Sequence, residues 1–335
     1  MKIAIFEVEH FEKDYLIAQL SGHELKFYDH ALNLEHIEEA AGYDALVLFV
    51  YSEVNELMLA KLPGLKFITT RSMGFNHIEV TACDKRGIAV SYVPAYGERT
   101  VAEHTFALIL SLSRKIFQAY ERTEKGIFDY HGLMGFDLQG KTLGIIGGGR
   151  IGQNVAQIAR GFQMNVVVFD NLPKPELAER IGFTYLPLDE LLSKSDIVSI
   201  HVPYMEATHH LLNEAKFKLF KKGAFLINTA RGAIVDTKAL LQALENKTLL
   251  GAGLDVLEDE CTIKEERELM SKLLPEKYNW ETLARNHMLI DRDDVIITPH
   301  IAFNSREAVE RILQTTVENI NGFTSGKFVN LVPKV

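Results

Sequence analysis

The chain has 335 residues, 47% of them hydrophobic and 24% charged, with 36 Lys+Arg against 45 Asp+Glu, a formal net charge of −9 and a pI of about 5.8. These are the values of a soluble globular protein of about two domains, and they exclude a disordered chain, a collagen-like repeat and a small disulfide scaffold. They also speak against nucleic-acid binding: no basic footprint exists beyond the short cluster Lys216, Lys218, Lys221 and Lys222, which reads as an exposed helix end.

The two cysteines, Cys83 and Cys261, have neither disulfide-framework nor metal-type spacing, as expected in a reducing cytosol. The start, Met1-Lys2-Ile3-Ala4-Ile5-Phe6-Glu7, meets a carboxylate too early for a secretory signal. The most apolar stretch, Phe106–Leu112, is too short to span a bilayer. A cytoplasmic protein without membrane or nucleic-acid partners is expected, and no metal is called for.

In chain order, short apolar runs alternate with amphipathic segments. The runs Ile3–Phe6, Leu25–Tyr28, Ala45–Phe49, Phe67–Thr69 and Ile88–Val90 enclose helix-like stretches Phe11–Leu20, Glu53–Lys61 and Ile78–Arg86. Strands alternating with helices predict a parallel sheet covered on both faces, here a flavodoxin-like α/β unit. One long helix is expected over Arg99–Lys125, where Val101, Phe106, Leu110, Phe117 and Tyr120 recur at helical spacing. The alternation then resumes with Leu143–Ile146, Val166–Phe169, Ile197–Ile200, Ala224–Asn228, Gly251–Asp255 and Val295–Thr298, a second parallel sheet of about six strands, and a helix over Ser305–Phe323 follows. Residues 261–292, dense in charge and holding Pro275 and the only tryptophan, Trp280, read as one or two inserted helices, either a solvated excursion or a cover over a nearby site.

The strand Leu143–Ile146 runs into Gly147-Gly148-Gly149-Arg150-Ile151-Gly152 and then a helix. Gly147, Gly149 and Gly152 hold the GxGxxG positions: a tight turn, room for a pyrophosphate, and close helix–strand packing. The anion would sit at the helix N-terminus. Asp170, ending the next strand 18 residues after Gly152, is placed to bind ribose hydroxyls and to repel a 2′-phosphate, which favours NAD over NADP. A methyltransferase could share these two features.

Arg231, Glu260 and His300 fall at or just beyond the ends of later strands, on the side of the glycine turn, where open parallel sheets bind ligands. A guanidinium holds a carboxylate through two parallel hydrogen bonds. A histidine can supply the proton that a carbonyl needs on hydride addition. A carboxylate beside the imidazole orients it and favours its charged form. Together they form a minimal set for interconverting a 2-oxo acid and a 2-hydroxy acid.

With Gly144–Gly152, Asn228–Gly232, Gly253-Leu254-Asp255-Val256 followed by Glu260, and Thr298-Pro299-His300, the chain resembles the D-isomer-specific 2-hydroxyacid dehydrogenase family along its whole length. The 29-residue interval from Arg231 to Glu260 matches the family pattern, whereas the 40 residues from Glu260 to His300 exceed it in compact members. The resemblance implies that Arg231 binds the carboxylate and polarises the carbonyl, with His300 as acid/base and Glu260 as its partner. It implies NAD contacts from Arg150, Ile151, Asp170, Val202, Pro203, Thr208, Thr229, Ala230 and Asp255, and substrate contacts from Met73, Gly74 and Tyr96. It further implies two Rossmann-like, flavodoxin-like domains with a discontinuous substrate domain, 1–99 and 300–335, around a cofactor domain, 100–299, a site in the cleft, and a homodimer. Thr70–Asn76, Tyr96 and Phe303-Asn304 resemble the D-lactate dehydrogenase group, so reduction of pyruvate is the expected reaction. Glyoxylate, hydroxypyruvate or a bulkier 2-oxo acid is the alternative within the class, and a non-catalytic NAD(H) sensor or co-repressor the alternative outside it.

Overall fold

A computed structural model describes residues 1–260 and 279–333. The chain forms two compact units, Met1–Tyr96 with Ser305–Val335, and Gly97–Asn304.

The first unit is built on a five-stranded parallel sheet: β1 (Lys2–Ile5), β2 (Glu24–Phe27), β3 (Ala45–Leu48), β4 (Phe67–Thr70) and β5 (Ala89–Ser91), in the order 2-1-3-4-5. This is the flavodoxin-like doubly wound order. Successive side chains of a strand point to opposite faces. Ile3, Ile5, Val47 and Phe67 accordingly pack with Leu16 and with Val309, Leu313, Val317 and Ile320 of the C-terminal helix Arg306–Thr324. Ala4, Phe6, Leu46, Leu48 and Ile68 pack on the other side with Met58, Leu59 and Cys83. Burial drives the Cys83 thiol up to about 12, which leaves it an inert core residue. Cys261 lies outside the described residues.

One ion pair is enclosed here. Arg71, after β4, is 2% exposed; its Nη1 meets Glu12 Oε1 at 2.6 Å, and its Nη2 donates to the carbonyls of Phe6 (3.2 Å) and Glu7. Glu12 also accepts from the Glu9 N–H (2.8 Å), capping the helix His10–Gln19.

The second unit holds a seven-stranded parallel sheet: β6 (Thr142–Ile146), β7 (Asn165–Phe169), β8 (Thr184–Tyr185), β9 (Ile197–Ile200), β10 (Ala224–Asn228), β11 (Leu249–Leu254) and β12 (Val295–Ile297). The order β8-β7-β6-β9-β10-β11-β12 is the Rossmann arrangement with one added strand, and its direction of winding reverses between β6 and β9. The sequence pattern missed β8, because two residues cannot make an apolar run. One face packs Ile145, Val168, Ile227 and Ile296 against Ala102, Phe106, Val155 and Ala159. The other packs Ile146, Ile200, Leu226 and Leu254 against Leu191, Leu240, Leu244 and Leu289.

The single helix expected over Arg99–Lys125 is in fact two, Glu98–Arg114 and Ile116–Glu124, separated by Lys115 in the left-handed region (φ 52°). The Ser113 carbonyl accepts the Phe136 N–H (2.9 Å), and Gly135 lies against that carbonyl so closely that a Cβ would meet it at 2.1 Å. Apolar periodicity reports which face is buried, not this change in φ. Of the insertion, Trp280–Ile290 is a helix that buries Leu283, Asn286 and Leu289, so this part is packed rather than solvated; Pro275 and the rest of 261–278 lie outside the described residues.

Glu12→Ala should strand the buried Arg71 guanidinium and lower stability by about 3–5 kcal/mol in denaturant unfolding. A loss within the scatter of surface substitutions would refute this account of the first unit.

Candidate active site

The glycine turn connects β6 to the helix Arg150–Gly161. Gly147 has φ 106°, and a Cβ on it would lie 2.7 Å from the His201 carbonyl oxygen, so only glycine lets the turn pass the end of β9. A Cβ on Gly152 would stand 2.0 Å from the Gly147 oxygen, which accounts for the close helix–strand packing. Gly149, by contrast, faces open space. Among the described residues no side chain caps this helix at Gly149, and a helix N-terminus of this kind suits an anion.

Asp170, just after β7, holds the turn: its Oδ2 accepts the Gly148 N–H at 2.7 Å and its Oδ1 the Leu172 N–H at 2.8 Å. The turn and its carboxylate therefore fit a dinucleotide. Arg150 is mostly exposed and pairs with Glu98 (3.1 Å), while Ile151 packs into the core beneath. Val202 packs against the opposite core. Thr208 closes the loop after β9 by donating to the Pro203 carbonyl (2.8 Å) and accepting the Met205 N–H (2.9 Å). At this crossing, burial of the His201 ring lowers its pKa to about 3; its Nε2 bonds Ser199 Oγ at 2.8 Å.

Arg231, Glu260 and His300 lie beyond the carboxyl ends of three neighbouring strands, β10, β11 and β12. His300 Nδ1 meets Glu260 Oε1 at 2.6 Å, with the two side chains 19% and 29% exposed. Arg231 donates from Nη1 to the Ala230 carbonyl (2.7 Å), and among the described residues no carboxylate pairs with it. Asn228 braces this loop, donating to the Arg231 carbonyl (2.9 Å) and accepting the Ala230 N–H (3.0 Å). Thr229 is buried with its hydroxyl 3.1 Å from that of Thr105.

His300 adopts φ 53°, a left-handed conformation that is uncommon for a residue with a side chain. Asp255, 1% exposed, enforces it. The Asp255 carbonyl accepts the His300 N–H (2.8 Å), and its carboxylate accepts from Thr298 Oγ1 (2.5 Å) and from the N–H groups of Ile301 (3.0 Å) and Ala302 (2.9 Å). Asp255 is thus the anchor of the histidine turn.

Sequence reasoning overlooked three supports. His104 reaches Thr298 Oγ1 (3.0 Å) and Asp255 Oδ1 (3.4 Å) from the helix Glu98–Arg114. Glu258 accepts from Thr237 Oγ1 and pairs with His210, both at 2.7 Å, while Asn286 donates to the Glu258 carbonyl (2.7 Å). Gly232 lies so close to the loop after β11 that a Cβ would fall 2.0 Å from the Leu257 carbonyl carbon. Glu258 was hidden because Glu258-Asp259-Glu260 reads as a solvated run; burial and the Glu258 charge in fact hold the Asp259 carboxyl above its ordinary range. His104 and His210 had no signal at all, since their partners are distant in the chain.

In the first unit, Met73 and Gly74 follow β4, where Ser72 Oγ donates to the Gly74 carbonyl at 2.6 Å. Tyr96 is 9% exposed and its carbonyl accepts from Arg311 Nε (2.6 Å).

Comparison with known proteins gives concordant matches. The family described as D-isomer specific 2-hydroxyacid dehydrogenase, NAD binding domain, matches residues 106–302. The chain is 35% identical over 331 residues to D-lactate dehydrogenase of Escherichia coli (strain K12), covering 98% of each. It is 37% identical over 309 residues to a glyoxylate reductase of Thermococcus litoralis, covering 89% of this chain and 86% of the other. Among solved structures it is similar to D-lactate dehydrogenase from Aquifex aeolicus complexed with NAD and lactic acid, with a TM-score of 0.87, 37% identity, and coverage of 97% and 96%.

Asp170→Ala removes an acceptor of two backbone N–H groups. It should weaken NAD binding about 10- to 100-fold and narrow the preference over NADP, as read by fluorescence titration; an unchanged preference would refute the ribose assignment.

Proposed function

The chain belongs to the D-isomer-specific 2-hydroxyacid dehydrogenase family, and from that premise we propose that it reduces pyruvate to D-lactate. As a member it is an NAD-dependent oxidoreductase acting on the CH–OH group of a 2-hydroxy acid. The observation that carries the proposal is the Glu260–His300 contact of 2.6 Å one strand away from the loop of Arg231. Full-length similarity to D-lactate dehydrogenases supports the choice of pyruvate. The 37% identity to a glyoxylate reductase supports glyoxylate as the second reading.

We assign NAD to the turn Gly147–Gly152, including Arg150 and Ile151, with Asp170 at the ribose and Val202, Pro203, Thr208, Thr229, Ala230 and Asp255 lining its path. Bound there, it supplies the hydride that the carbonyl carbon takes up. Arg231, with a guanidinium that no described carboxylate neutralises, holds the substrate carboxylate and draws charge onto the carbonyl oxygen. Glu260 accepts the Nδ1 proton of His300, fixing the ring so that Nε2 is the atom that gives up its proton to that oxygen. In lactate oxidation the same Nε2 takes the proton back. In the first unit the proposal extends to Met73, Gly74 and Tyr96 as carboxylate-binding residues.

Steady-state NADH oxidation against pyruvate, glyoxylate, hydroxypyruvate and bulkier 2-oxo acids tests the reading. Pyruvate should give the highest kcat/KM, and His300→Ala should lower kcat about 10²–10⁴-fold while NADH still binds. Faster turnover of glyoxylate would favour the second reading. NADH binding with no turnover of any acid would favour a sensor.

We also place the protein in the cytoplasm and read it as a homodimer. Among the described residues no helix is long and apolar enough to cross a membrane. Ile116, Phe117, Tyr120, Phe128, Tyr130 and Met134 are exposed along one stretch of the second unit, an apolar surface of the kind that a second copy covers. Light scattering should give twice the chain mass, and Phe128→Asp should shift the population towards the monomer; a wild-type monomer would refute the dimer.

A further inference from the structure

The first unit carries a side-chain cluster that this reaction does not use. His30 follows β2, while His36 and Glu39 belong to the short helical turn Ile37–Ala40 and the residue that caps it. One ligand atom from each of the three lies within 4.8 Å of the others. His30 Nε2 is 3.1 Å from Glu39 Oε2, and His36 Nδ1 is 3.2 Å from Glu39 Oε1. Donors around a tetrahedral zinc ion at 2.0–2.1 Å stand about 3.3 Å apart, and each histidine nitrogen is near that spacing from one Glu39 oxygen, a different oxygen for each.

His30 stands between two carboxylates. Its Nε2 faces Glu39, and its Nδ1 faces a second carboxylate, Asp29 Oδ1, at 3.4 Å. A neutral imidazole has one N–H and satisfies one of these carboxylates, not both. Either protonation of the ring or a metal ion on Nε2 satisfies both; with the ion, Nδ1–H is donated to Asp29 in the carboxylate–histidine–metal arrangement that orients metal-binding histidines.

The surroundings hold the ligands in place without an ion. The His30 ring packs edge-on against Phe6 and Tyr28. The Tyr28 hydroxyl donates to the Glu39 carbonyl at 3.1 Å, tying the end of β2 to the helical turn, and the His36 N–H donates to Asn33 Oδ1 at 3.1 Å. The three side chains are between 35% and 40% exposed, so the remaining coordination position opens to water.

We propose that His30, His36 and Glu39 bind one zinc-type divalent ion, oriented by Asp29, which clamps the segment between β2 and the turn Ile37–Ala40. Two imidazoles and one carboxylate select zinc over magnesium, which prefers oxygen ligands.

The test uses the full chain, stripped with chelator and titrated calorimetrically with zinc chloride and with magnesium chloride. Because zinc can also reach His300 and Glu260, the informative quantity is the difference from His30→Gln/His36→Gln. Wild type should bind one zinc ion more than this double variant, with magnesium failing to compete. Glu39→Gln and Asp29→Asn should each weaken that site about tenfold or more. Thermal unfolding of the metal-free proteins checks that the double variant is folded; if it is not, the two carboxylate variants carry the test. Equal zinc stoichiometry and affinity in wild type and double variant, or unchanged affinity in both carboxylate variants, would overturn the proposal.

Discussion

The candidate active site depends on one buried carboxylate. Asp255, at the end of β11, accepts the Thr298 hydroxyl and the Ile301 and Ala302 N–H groups, and so binds the end of β11 to the turn beyond β12. An unpaired buried charge is costly, and apart from His104 at 3.4 Å this carboxylate relies on donors that the turn must present in one conformation. The turn therefore accepts a left-handed residue at His300, and the imidazole is delivered onto Glu260. Strain in the backbone at position 300 is offset by hydrogen bonds around position 255, as is common where a side chain must be aimed.

A second constraint is the closeness with which backbones pass one another at the carboxyl ends of the strands. Gly147 lets the turn clear His201, Gly152 lets the helix sit on Gly147, and Gly232 lets the arginine loop pass beneath the loop that carries Glu258 and Glu260. At each crossing a single methyl group would collide with main chain, which cannot rotate away as a side chain can. The glycine motif is thus a record of packing, and Asp170 takes part in it, since it accepts the Gly148 N–H. The loop after β11 is further fixed by Thr237, His210 and Asn286 acting on Glu258, so that Glu260 does not rely on His300 alone for its position.

The sequence alone established the alternation of strand and helix, the parallel sheets, the glycine turn, and the placement of Arg231, Glu260 and His300 beyond strand ends. Each of these is written in local patterns: period, composition, or a short spaced motif. Tertiary structure decided the rest. The break at Lys115 goes with the Ser113 carbonyl accepting the N–H of Phe136, 23 residues later in the chain. The two-residue strand β8 exists only because β7 offers it a partner. The contacts of His104 with Thr298, of His210 with Glu258, and of Glu260 with His300 join residues 194, 48 and 40 positions apart, and the order of strands in the sheet, not their order in the chain, makes those residues neighbours.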